Sequence, residues 1–87
     1  MMRRTKQFRG ISKRLAANYL ENLGGERADP EGDRIEGDGW RADLSAETVE
    51  VAGSMKLTEV TVVFEGEEPV LEELIEDFTR KAMRAGG

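Results

Sequence analysis

Apolar residues between positions 11 and 23 recur at a spacing that only a helix gathers onto one side. Ile11, Leu15, Ala16, Tyr19, Leu20 and Leu23 lie at offsets of 0, 4, 5, 8, 9 and 12, a single stripe at about 3.6 residues per turn. Ser12 can cap the start, because its hydroxyl can accept a bond from an orphan backbone N–H. Gly24-Gly25 marks the end, since glycine tolerates the left-handed conformation that closes a helix. A second stripe runs through Leu71, Leu74, Ile75, Phe78, Ala82 and Ala85 behind Pro69, which suits a first helical turn. Glu67, Glu68, Glu72 and Glu73 crowd its N-terminal end and Arg80, Lys81 and Arg84 its C-terminal end, both favourable to the helix dipole. Glu76–Arg80 and Asp77–Lys81 are expected as pairs at i,i+4.

Between the helices the period falls to two. Trp40, Ala42 and Leu44 share one parity around Arg41 and Asp43, which predicts a strand with one buried face. Ser45-Ala46-Glu47 reads as a turn, after which Val49 and Val51 alternate again, and Met55 and Leu57 keep that parity past Gly53. A glycine there marks a bulge or a turn, so this stretch predicts one bent strand or two. Val60, Val62 and Phe64 make the clearest strand. Met2 to Arg9 reads as a short basic strand whose large apolar residue is Phe8. Glu26 to Gly39 reads as an acidic loop with a short strand around Arg34-Ile35-Glu36 and a turn at Gly37-Asp38-Gly39.

The order is strand, helix, three to four strands, helix. This predicts a single α+β domain over residues 1–87, with an antiparallel sheet of four to five strands and both helices on its one apolar face. Its expected core is Leu15, Leu20, Trp40, Leu44, Val49, Val51, Val60, Val62, Phe64, Leu74 and Phe78. A chain of 87 residues holds one core and leaves little for a deep cleft. No apolar run is long enough to span a bilayer or to serve as a signal-peptide core. A cytoplasmic location is therefore expected, with no membrane contact.

Composition narrows the chemistry. The chain has no cysteine and no histidine, so thiolate chemistry, the usual general base and the commonest metal ligands are missing. Ser12, Ser45 and Ser54 sit where caps and turns want a small hydroxyl. No enzyme activity, catalytic residue or cofactor is expected. Asp29, Glu31 and Asp33 mimic positions 1, 3 and 5 of a calcium loop. However, Arg34 stands where that loop needs glycine and Trp40 where it needs a bidentate acid. No metal site is expected.

Charge is unevenly placed. Arg3, Arg4, Lys6, Arg9, Lys13 and Arg14 precede the first acid, leaving 7 of the 13 bases with all 18 acids downstream. Arg9, Lys13 and Arg14 flank a helix N-terminus and are the candidate anion-binding residues. Pairing with the acidic loop or the second helix is the plainer role for these bases. A net charge of −5 and the single aromatic Phe8 in the basic stretch disfavour nucleic acid. The expected partner is a protein.

Several segments together carry a family likeness: "YLENLGG" at 19–25, the Gly-rich turn before Trp40, "GSMKLTEVTVVFEGEE" at 53–68, and a basic helix end running into Gly86-Gly87. The chain resembles the C-terminal domain of MoaD-related proteins, in which this domain can follow a ubiquitin-like domain related to the small subunit of molybdopterin synthase. The resemblance implies a β-α-β4-α arrangement of the TATA-binding-protein-like kind. The ubiquitin-like domain is absent from these 87 residues, so a link to molybdopterin or sulfur-carrier biochemistry is implied by association.

Gly86 and Gly87 then have two readings. As a free carboxylate they are a conjugation candidate, the handle by which ubiquitin-like proteins are activated. As a helix terminus they repeat the device of Leu23-Gly24-Gly25. An activating enzyme threads an extended tail, whereas Phe78, Ala82 and Ala85 keep helical register almost to the pair. The terminus reading is the expected one.

Overall fold

The elements are β1 (Met2–Arg9), α1 (Lys13–Asn22), β2 (Glu26–Arg27), β3 (Arg34–Gly37), β4 (Trp40–Ala52), β5 (Met55–Gly66) and α2 (Glu68–Ala85). They come from a computed structural model, which describes residues 1–29 and 33–85. The strands form one five-stranded sheet in the order β1-β5-β4-β3-β2, every neighbouring pair antiparallel. The class is α+β, as the two periodicities predict.

Both helices are built as their sequences dictate. Leu15 N–H donates to the Ser12 hydroxyl at 3.0 Å, which satisfies one orphan donor of α1. At the other end Gly24 N–H donates to Glu21 O at 3.1 Å and Gly25 N–H to Leu20 O at 2.9 Å. That pair of bonds is a Schellman motif, and it requires the left-handed φ of 104° at Gly24. In α2, Arg80 bonds Glu76 at 3.0 Å and also Asp77 at 3.4 Å. Asp77 thus takes Arg80 in place of the expected Lys81, because i,i+3 and i,i+4 neighbours are equally close on a helix surface.

The core lies between one sheet face and the two helices. Ile35, Trp40, Ala42, Leu44, Val60, Val62 and Phe64 from the strands pack with Ala16, Ala17, Leu20, Leu71, Leu74, Ile75, Phe78 and Ala82. Phe78 is the hub. Its ring meets Phe8 at 5.0 Å, Phe64 at 5.7 Å and Tyr19 at 6.0 Å between centroids, all edge-on, the geometry aromatic quadrupoles favour. Close approach constrains the other side: a Cβ on Gly37 would run into the Trp40 indole.

Three expectations are corrected. Ser45-Ala46-Glu47 is no turn; β4 continues through it to Ala52, and the reversal comes at Gly53-Ser54 between two strands. Without that turn, Val49 and Val51 share the parity of Arg41 and Asp43 rather than that of Trp40. Val49 is consequently only half-buried, and Val51, displaced further by a bulge between Glu50 and Ala52, is 45% exposed. Neither belongs to the core, and Leu15 lies only at its margin. Lastly, the acidic loop contains the two-residue strand β2, which extends the sheet by pairing Arg27 with Ile35. Ala85, expected on the helix stripe, has no described side chain.

Candidate functional site

The sequence-derived candidates separate in space. Gly86 and Gly87 lie outside the described residues. What precedes them is helical through Ala85, so among the described residues no extended segment leads into the pair. Arg9 ends β1, and its Nε lies 2.9 Å from Glu59 Oε2. Glu59 is buried on β5, at 7% exposure. Lys13 opens α1 and its ammonium bonds the Asp33 carboxylate. Arg14 is exposed on the next helical position. An anion at the α1 N-terminus would therefore compete with Glu59 for Arg9 and with Asp33 for Lys13.

The acidic loop uses its charges internally. Asp29 accepts the Asp33 backbone N–H at 2.9 Å, while Asp33 takes Lys13; Glu31 lies outside the described residues. Among the described residues no group of three or more acids is arranged to hold a metal ion.

The sheet face away from the helices is a charged lattice. Arg3, Glu65, Arg41 and Glu36 stand opposite one another on successive strands. Glu65 is 3.7 Å from Arg3 and 2.8 Å from Arg41. Arg34 Nε donates to Asp43 at 2.7 Å, and that hydrogen bond, with the carboxylate charge, pushes the half-exposed guanidinium above its ordinary pKa. Opposite charges across strands support the sheet; this face reads as a solvated scaffold.

Two features remain that the sequence patterns did not single out. The far end of the β4–β5 hairpin carries Val51, Met55 and Leu57 in the open, at 45%, 60% and 37% exposure. At the sheet margin, β1 pairs with β5 alone, and beside it a recess of about 440 Å³ runs along α2. Arg4 and Lys6 line it from the strand, and Ile75, Thr79 and Met83 from the helix. The charges of "MRRTKQFR" mark an exposed strand, but nothing in that segment marks the recess, which depends on where the sheet sets β1 beside α2.

The family assignment fits this frame. The model of a family described as archaeal MoaD-like protein matches residues 4–87. The chain belongs to that family. The match begins within β1 and runs through α2, and it agrees with the MoaD-related likeness carried by the short segments of the sequence. No curated protein matches the chain. Among the described residues no helix is long and apolar enough to cross a membrane.

Proposed function

We propose that this chain is a small, non-enzymatic accessory domain of MoaD-related, molybdopterin or sulfur-carrier biochemistry, acting in the cytoplasm by binding a protein partner. Family membership over residues 4–87 supports the biochemical setting. The observation that carries the mode of action is the unbroken helical register of α2 up to Ala85. Among the described residues no extended segment leads toward Gly86-Gly87, as a tail threaded into an activating enzyme requires, and this supports action through the folded surface. We also take the arrangement as a single TATA-binding-protein-like domain, on the strength of its strand, helix, four strands, helix succession.

A second reading is a ubiquitin-like modifier or sulfur carrier acting through Gly86-Gly87, and the likeness of its family to MoaD favours it. One experiment separates the two. The chain and a form lacking Gly86-Gly87 are expressed in the native cytosol, captured through an N-terminal tag and weighed intact by mass spectrometry. We expect the same non-covalent partner on both forms. The deletion should lower stability by on the order of 1 kcal/mol or less. An adenylate or thiocarboxylate on Gly87, or an isopeptide bond from Gly87 to a lysine, would establish the carrier reading instead.

A further inference from the structure

We infer that the free edge of β1, together with the recess beside α2, receives an extended acidic segment of a partner protein as a sixth strand. The inference rests on the protein-binding reading above and names its surface. An edge strand presents a row of unpaired N–H and C=O groups, and native sheets usually keep such edges short, bulged or covered. The opposite edge obeys this rule, since β2 has two residues. β1 has eight, contains no proline and pairs with β5 in unbroken register. Its charges do blunt it against indiscriminate pairing, but blunting alone needs no recess. Here an apolar-floored one lies where side chains of an added strand would fall, with Met83 70% exposed within it.

The register dictates what fits. Arg4, Lys6 and Phe8 stand opposite Phe64, Val62 and Val60, so they share the helix-side face of the sheet. Arg3 and Arg9 on the other face already have Glu65 and Glu59. Arg4 and Lys6 make no ion pair among the described residues. Of the two helix acids in the recess, Glu76 is held by Arg80, and Glu72 makes no ion pair among the described residues, so neither carboxylate engages Arg4 or Lys6. A sixth strand would therefore place acids opposite Arg4 and Lys6, with apolar residues at the flanking same-face positions beside Met2 and Phe8. Backbone bonds supply affinity in this mode and alternate side chains supply selectivity. A second copy fits badly, because β1 against β1 would set basic residues directly against basic residues.

The probe is the labelled heptapeptide Val-Thr-Glu-Thr-Glu-Thr-Val with blocked ends, titrated against the full chain by fluorescence anisotropy. It should bind, and its Lys-for-Glu counterpart should not. The double variant Arg4→Glu/Lys6→Glu, altered only at exposed positions, should exchange those preferences. Only one of an added strand's two alternating sets of N–H groups faces β1. N-methylating one alternate set should therefore weaken binding about tenfold or more, the weight of one or two hydrogen bonds, and methylating the other should not. No binding, equal binding of both charge types, or equal effects of the two methylation sets would overturn the inference. So would a dimer in sedimentation that excess peptide leaves intact. If the double variant still captures the native partner, the edge is the wrong surface while the protein-binding reading stands. If the unaltered chain captures none, that reading itself fails.

Discussion

The β4–β5 hairpin is two different structures along one pair of strands. Near the body, from Trp40↔Gly66 to Ala46↔Val60, and beyond it, from Glu47↔Glu59 to Ala52↔Met55, the same antiparallel ladder runs on. Both halves alternate apolar with polar residues. In the near half the apolar set faces α1 and α2, and Ala42, Val60, Val62 and Phe64 are completely buried. In the far half the apolar set lies on the opposite face, no helix covers it, and Val51, Met55 and Leu57 stay in water. Alternation reports the pleat of a strand. Burial needs a second layer, and α2 supplies one only to the near half.

The largest predicted effect tests the near half. Phe78 joins Phe8, Tyr19 and Phe64 and is itself fully buried. Truncating Phe78 or Phe64 to alanine should cost about 3–5 kcal/mol, the lost transfer energy plus the cavity left among rings that cannot collapse. Urea unfolding of the variants measures it. A loss below about 1 kcal/mol at Phe78 would mean that the helix face has been misread and that both halves of the hairpin are equally unsupported.

Much of this was legible beforehand. The buried stripes at Ala16 and Leu20 and from Leu71 to Ala82, the Ser12 cap, the Gly24-Gly25 stop and the strand at Val60–Phe64 follow from local rules, and each appears where the residues put it. Local rules failed where a face had to be assigned. The apolar set moves from even positions at Trp40 and Leu44 to odd ones at Val49 and Val51. A mirror shift separates Leu57 from Val60. A turn at Ser45-Ala46-Glu47 would have reconciled the first shift. Read on both strands together, the shifts instead describe one continuous ribbon whose apolar face changes side. The candidate site was less legible still. Charge drew attention to Arg9, Lys13 and Arg14, of which two are engaged by Glu59 and Asp33. The free edge beside Arg4 and Lys6 exists only once the strand order is known, and no local pattern encodes strand order.

Glu59 sits at the boundary between the halves, and its environment sharpens the comparison. It is buried, it stands directly opposite Glu47, and its partner is Arg9. Two carboxylates across a strand pair repel, so Arg9 compensates one that water hardly reaches. Arg9→Ala should cost about 1–3 kcal/mol, the penalty of leaving a buried polar group without its partner. Adding Glu59→Gln to that variant should recover part of the loss, because the neutral amide is not repelled by Glu47. A double-mutant cycle by urea unfolding gives both numbers. Additive single effects would show that Arg9 and Glu59 do not stabilise one another and that the boundary needs no charge pairing.

The smallest effect is predicted for the far half, and its smallness is the test. Val49→Thr, Met55→Thr and Leu57→Thr each keep a side chain suited to a strand while removing apolar surface. Met55 and Leu57 are exposed and Val49 is half-buried on a face without a covering layer. Little apolar area therefore returns to water on unfolding, and each change should stay within about 0.5 kcal/mol, the ordinary range for surface substitutions. A ribbon of two strands without a covering layer is marginal by itself. Its amides, from Thr48 to Thr58, should accordingly exchange with solvent through local opening, while those of Val60, Val62 and Phe64 exchange only through global unfolding. Hydrogen exchange read residue by residue distinguishes the two regimes on one sample. If the far amides are as protected as the near ones, or if Leu57→Thr costs as much as a core truncation, the far half is packed. The contrast between the two halves of the hairpin would then collapse.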